Sequence, residues 1–249
     1  MHTITILGDG GLGRAVEAAA LERLRGSGRT AEVLVVGRPV SGRHERGALG
    51  HPDLVVEASR PDAVLANLEA AVAAGARRLV VATTGWAHDQ PRVEQLLRES
   101  GAAAVTAPNF SLGVVLFGRL VETAVELFGS LDAFDPYLLE WHRRAKRDRP
   151  SGTAIDLARR IADRHPRLGS AADLEVVSVR AGSSPGMHLV GFDAPGETIE
   201  LRLTARDRSA YAAGILAAAD WLERSPREAG IHAFDLVVDE LVAHQPIAA

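Results

Sequence analysis

The sequence predicts an α/β protein: a doubly wound parallel sheet of the Rossmann type, with an inserted α+β domain built on a mixed, open sheet. Three observations carry this. Short β-branched runs alternate with helical stretches over the first 109 residues, the order of a βαβ series. A glycine-rich turn directly follows the first of those runs. Beyond Leu112 the strands lengthen, and one alternates apolar with polar residues, the mark of a sheet with one face in water.

Residues 3–7 form the first expected strand, "GDGGLG" sets Gly8, Gly10 and Gly13 in G-x-G-x-x-G, and from Leu12 the pattern is helical through Leu24. That order suits a dinucleotide: glycines admit the backbone close to a pyrophosphate, and the helix N-terminus favours its charge. "AEVLVVG", "DLVVEA", "RRLVVATTG" and "AAAVTAPN" supply four more buried strands, with helices expected at 61–74 and 91–100. After the second strand stand Gly37 and Arg38, with Arg43 nearby. NAD enzymes usually place a carboxylate there, whereas a cation suits a 2′-phosphate. NADPH is therefore the expected cofactor, with NADH as the other candidate.

The second half reads as a helix over 112–128, the strand "YLLE", a polar loop, and a helix opening at "SGTAIDLARRIA". The strands "LEVVSVRAG" and "HLVGFD" follow, then the turn "DAPGE" and the strand "ETIELRLTA", where Ile199, Leu201 and Leu203 alternate with polar residues. "SAYAAGILAAADWLER" is an Ala-rich helix and "DLVVDELVA" returns to the first domain. The expected division places a dinucleotide-binding domain at 1–109 and 209–249, and a substrate-binding and oligomerisation domain at 110–208.

Composition narrows the classes. The 249 residues are 47% hydrophobic and 24% charged with a net charge of -4, so no nucleic-acid surface is expected, and no apolar run reaches the roughly 20 residues of a membrane helix, so no membrane partner is expected. Cys is absent, which excludes disulfides and thiolate chemistry. The opening "MHTITILGDGG" has no basic stretch before a long apolar run, so no secretory leader is expected and a cytoplasmic location is. The nine His lack metal-ligand spacing, and no metal is expected.

One cation stands apart. Of 28 Lys+Arg, Lys146 is the single lysine, in "EWHRRAKRDRPSGTA". Lysine differs from arginine where a compact donor with a shiftable pKa is needed. His142 lies four residues before it, and Ser151-Gly152-Thr153 then opens a helix whose first N–H groups suit an anion. A reductase needs a proton donor and cations for an anionic substrate, and this loop offers both.

This loop resembles the signature of the 4-hydroxy-tetrahydrodipicolinate (dihydrodipicolinate) reductases, roughly E-x-H-H-x-x-K-x-D-A-P-S-G-T-A, through Glu140, His142, Lys146, Asp148 and Pro150 to Ala154. Four further stretches resemble the family in order: "ATTGW", "APNFSLG", "RAGSSPGMH" and "DRSAYAAG". The resemblance implies hydride transfer from NAD(P)H to a cyclic conjugated imine dicarboxylate in lysine and diaminopimelate biosynthesis, by a homotetramer. It implies His142 and Lys146 as the catalytic pair, and Arg143, Lys146, Ser151, Gly152 and Thr153 around the substrate. The implied cofactor contacts are Gly8, Gly10, Gly11, Leu12, Gly13, Arg38, Thr83, Thr84, Gly85, Pro108, Asn109, Phe110 and Arg208.

The chain departs from the pattern at several points. Arg143 replaces the second loop His, Arg149 replaces the Ala before Pro150, the glycine turn is one residue shorter, and "VVEASRPD" follows the third strand. Two alternatives stay open at this level: a paralogue reducing a related cyclic imine, and a non-catalytic dinucleotide-responsive protein on the same fold.

Overall fold

The computed structural model describes residues 2–27, 31–39, 44 and 47–243. Arg43 lies outside them. The chain divides into two compact units, Met1–Leu112 with Arg208–Ala249, and Gly113–Asp207.

In the first unit, the β-branched runs become β1 (His2–Leu7), β2 (Ala31–Val36), β3 (Leu54–Glu57), β4 (Arg78–Val81) and β5 (Ala103–Thr106). Between them lie α1 (Gly11–Ser27), α2 (Val64–Ala73) and α3 (Gln90–Ser100). The central strands are apolar on both faces because helices cover both: Val55, Val56, Leu79, Val80, Ala104 and Val105 are all fully buried. Each such Val or Leu contributes roughly 1.5–3 kcal/mol relative to exposure.

The sheet has six strands rather than the five expected. Its order is β10-β5-β4-β3-β1-β2 and every pairing is parallel. The sixth strand, β10 (Gly230–Ala233), reads "GIHA". A four-residue edge strand with a glycine and a histidine has no apolar run to announce it. Its neighbours in sequence are α6 (Ser209–Arg224) and α7 (Phe234–Ala243). Phe234 of α7 packs on Phe110 with ring centroids 4.9 Å apart.

The second unit holds α4 (Leu112–Phe128, entering from the first unit), β6 (Asp135–His142), α5 (Gly152–Arg164), β7 (Glu175–Arg180), β8 (Gly186–Ala194) and β9 (Glu197–Ala205). Its sheet runs β7-β6-β8-β9. The pairings β6–β8 and β8–β9 are antiparallel, but β7 lies parallel to β6. The α5 crossover makes that pairing possible, since parallel neighbours need a long connection. One face of the sheet packs on α4 and α5 through Leu138, Val190, Phe192, Leu157, Ile161 and Val121. The alternation in β9 turns Ile199, Leu201 and Leu203 toward this core.

Candidate active site

Parallel strands bring all their carboxyl ends to one rim, where α/β sheets bind ligands. In the first unit that rim carries the glycine turn after β1, residues 58–60 after β3, 82–86 after β4 and 107–111 after β5. Two of the glycines are sterically required. Gly8 has φ +114, and a Cβ there would lie 2.5 Å from the Ala58 carbonyl oxygen; a Cβ at Gly13 would lie 1.9 Å from that of Gly8. Gly10 faces open space, and a Cβ at Gly11 would meet the Arg208 guanidinium at 2.0 Å. Arg208, at the start of α6, thus delivers a cation to the N-terminus of α1, beside Leu12.

The other expected cofactor residues separate into surface and support. Thr84, Gly85, Pro108 and Arg38 are exposed. Asn109 accepts the Ser111 N–H through Oδ1 at 2.9 Å, fixing the turn after β5. Phe110 is buried against Phe234. The Thr83 hydroxyl points inward and donates to Glu57 at 2.9 Å. Arg38 also senses Asp62, whose carboxyl is held below its usual range first by Arg60 and more weakly by Arg38.

In the second unit, the end of β6 builds a buried polar centre. Alternation points Leu138, Glu140 and His142 to the same side, and all three are buried. Glu140 has no exposed surface. Its Oε1 accepts from Ser151 N–H at 3.0 Å, Ser178 Oγ at 2.5 Å and Arg180 Nη2 at 2.7 Å. Its Oε2 faces His142 Nδ1 at 3.1 Å and His188 Nε2 at 3.8 Å. The His142 contact has ion-pair distance without hydrogen-bond alignment, so both atoms lack a hydrogen-bond partner. Burial alone would raise the Glu140 carboxyl; its donors, led by Ser151, Ser178 and Arg180, outweigh it and bring it down to about 2.

The two histidines are lowered as well, which keeps them neutral where Glu140 stays charged. Burial is the largest influence on His142 and lowers it, with Lys146 and Arg180 adding to the effect and Glu140 opposing it. His188 is lowered to about 4, again chiefly by burial and then by His142. Ser151 Oγ accepts from Ala154 N–H at 3.2 Å, capping α5, and lies 3.1 Å from His188 Nε2. Its own proton is left for that nitrogen, which suits a neutral His188. The rings of His142 and His188 meet edge to face at 5.3 Å.

The loop after β6 carries the remaining expected residues. Lys146 Nζ pairs with Asp148 Oδ2 at 2.8 Å and keeps part of its side chain exposed. Arg180 Nη2 also donates to the Asp148 carbonyl at 2.6 Å, and Arg144 N–H donates to the Gly182 carbonyl at 3.1 Å, so the loop is anchored from β7. Arg143 and Arg149 are exposed. Gly152 is exposed with open space around its Cα, and Thr153 is half-buried; as the first turn of α5, their N–H groups have no intrahelical acceptor. Ser151 is buried, its hydroxyl committed to the cap and to His188.

Sequence reasoning left Glu140, Ser178, Arg180 and His188 out of the site, although three of them stand in motifs it quoted. Charged residues inside strand segments were the available signal. Among the described residues, Glu140, His142 and His188 bring ligand atoms within 4.8 Å of one another. Arg180 pairs with Glu140 Oε1, and Lys146 adds positive potential at His142, both of which raise the cost of a further cation there.

Residues 4–110 match the family described as Dihydrodipicolinate reductase, N-terminus, and residues 113–237 match Dihydrodipicolinate reductase, C-terminus. A protein of Pseudomonas fluorescens named 4-hydroxy-tetrahydrodipicolinate reductase is 32% identical, covering 96% of this chain and 99% of that protein. A protein of the same name from Wolinella succinogenes is 35% identical, covering 72% of this chain and 74% of its own. A dipicolinate-bound dihydrodipicolinate reductase from Paenisporosarcina sp. TG-14 shares the fold, with a TM-score of 0.70 at 20% identity over 94% of this chain and 97% of that one. This chain belongs to the dihydrodipicolinate reductase family and is an NAD(P)H-dependent oxidoreductase.

Proposed function

We propose that the protein reduces 4-hydroxy-tetrahydrodipicolinate to tetrahydrodipicolinate in lysine and diaminopimelate biosynthesis, with NADPH preferred over NADH. The observation that carries the chemical assignment is the pairing of His142 with Glu140 beside Lys146. A bound nicotinamide supplies the hydride. The chain supplies the proton, the charge and the orientation.

His142 turns Nδ1 inward to Glu140, which leaves Nε2 as its outward nitrogen. Free, it is held below its usual value. An anionic substrate beside it removes part of the penalty on the imidazolium, so substrate binding and proton uptake reinforce each other. Lys146 would form the catalytic pair with His142 and, with the N–H groups of Gly152 and Thr153 and the exposed Arg143 and Arg149, would hold a dicarboxylate. Dipicolinate, named for the Paenisporosarcina protein, is such a dicarboxylate.

On the first unit, Gly8, Gly10, Gly11, Leu12 and Gly13 would receive the pyrophosphate, with Arg208 neutralising it. Arg38 would read the 2′-phosphate. Thr84, Gly85, Pro108 and Asn109 would line the nicotinamide end, with Thr83 and Phe110 supporting from beneath. The proposed division of labour is a dinucleotide-binding domain at 1–109 and 209–249 and a substrate-binding and oligomerisation domain at 110–208. The outward face of the second sheet carries Trp141, 38% exposed, and Val177, 43% exposed, which supports self-association as a homotetramer. Among the described residues no helix is long and apolar enough to cross a membrane, and a cytoplasmic location is part of the same reading.

The test is NADPH oxidation with the substrate generated in situ, repeated with NADH. Turnover with a lower KM for NADPH is expected. Tight NADPH binding without turnover would contradict the assignment.

A further inference from the structure

Glu57 ends β3 at the rim of the first unit and has no exposed surface. Four donors converge on its carboxylate. Oε1 accepts from Ser59 N–H at 3.0 Å, Ser59 Oγ at 2.5 Å and Thr83 Oγ1 at 2.9 Å, and Oε2 accepts from Asn67 Nδ2 at 2.8 Å. The Glu57 carbonyl also accepts the N–H groups of Ala82 at 2.8 Å and Thr83 at 3.2 Å. One residue therefore ties the loop after β3 to the loop after β4.

The neighbouring turns lean on the same centre. Ala58 N–H donates to the Leu7 carbonyl at 2.8 Å, and Gly8 packs on Ala58 so closely that no Cβ fits. The Thr83 carbonyl accepts from Trp86 Nε1 at 2.8 Å, so the 83–86 turn is held at both ends. Asn67 is fixed in turn by Ser59 Oγ and by His44 Nε2, each at 3.0 Å.

Packing alone does not call for a carboxyl here, since Val55 and Val56 beside it are fully buried and apolar. A buried charge costs several kcal/mol before its partners compensate it. Burial does push the Glu57 carboxyl up from its usual range, and the donors from Ser59, Asn67 and Thr83 oppose that rise. What a carboxyl adds over a valine is direction: it fixes where two loops point. Those loops stand where the fold receives a dinucleotide.

We infer that Glu57 is a positioning residue for the nicotinamide nucleotide, setting the 58–60 and 82–86 loops in the geometry that receives it without touching the nucleotide itself. The inference rests on the NAD(P)H reading above.

Calorimetric titration of NADPH onto the full-length wild type, Glu57→Gln, Glu57→Ala and Ser59→Ala, with melting curves beside it, tests this. Gln keeps the Oε1 acceptor, and its amide is accommodated if Asn67 flips and His44 changes tautomer; its Kd is expected within about 3-fold of wild type. Folded Glu57→Ala is expected to bind at least about 10-fold more weakly, and Ser59→Ala about 3-fold more weakly or worse. If Glu57→Ala does not fold, Ser59→Ala decides. A folded Glu57→Ala or Ser59→Ala with wild-type Kd overturns the inference, even if its melting temperature drops. A wild type that does not bind NADPH overturns the dinucleotide reading instead.

Discussion

Glu140 Oε2 and His142 Nδ1 face each other at 3.1 Å in a site closed to solvent from the Glu140 side. The carboxylate is anchored by Ser151, Ser178 and Arg180, so it behaves as a fixed charge behind a more exposed imidazole. Burial sets the cost of protonating the ring, and the facing carboxylate offsets part of it.

Glu140→Gln should therefore act through His142. Without the carboxylate, the imidazolium loses the stronger of its two favourable neighbours, Asp148 being the weaker, and its pKa falls further. The limb of the kcat/KM–pH profile on which His142 loses its proton should move to lower pH, with kcat down at least about 10-fold. Arg180, left without its partner in the interior, should also lower the melting temperature. A lower melting temperature with an unmoved pH limb would make Glu140 a purely structural anchor.

The same centre predicts acid sensitivity in two stages. His188 is lowered from 6.5 to about 4, so the folded state refuses a proton that the unfolded chain accepts. That contribution, of order 3 kcal/mol, is complete above pH 6.5 and is lost as pH falls toward 4. Glu140, lowered from 4.5 to about 2, keeps its contribution above pH 4.5 and loses it as pH falls toward 2. His188→Gln should flatten the upper stage of a stability–pH curve and leave the lower one. An unchanged upper stage would assign it to another group.

Arg38→Ala should raise the KM for NADPH about 10- to 150-fold, the range of a charge-assisted hydrogen bond of roughly 1.5–3 kcal/mol, and leave NADH nearly unaffected. Equal effects on both cofactors would mean that Arg38 does not read the phosphate.

The fold class was legible because its signals are local. Valine-rich runs and glycine turns announced five parallel strands, and the alternation of Ile199, Leu201 and Leu203 announced a half-solvated sheet. Strand β10 was silent, since "GIHA" carries no pattern and owes its conformation to pairing with Ala103–Thr106. A mixed sheet was expected, but which pair would run parallel, β6 with β7, was hidden, because it depends on where α5 returns the chain. At the site, the loop from His142 to Thr153 was readable as chemistry from residue types at fixed spacing. The interior beneath it was not: Glu140, Ser178, Arg180 and His188 come from three strands and meet only after folding. Glu57 escaped for the same reason, its donors lying on three separate segments.

The loop after β6 holds Lys146, the one lysine among 28 cations. Lys146→Arg keeps the charge and the Asp148 partner within reach, but replaces a compact ammonium by a planar fork that does not readily yield a proton. The decisive measurement is kcat of this variant at saturating NADPH and substrate, with NADPH Kd measured beside it. A fall of at least about 10² with unchanged Kd is predicted, the typical loss for a positioned proton-transfer group or its immediate partner. Near-wild-type kcat would contradict a catalytic role for Lys146.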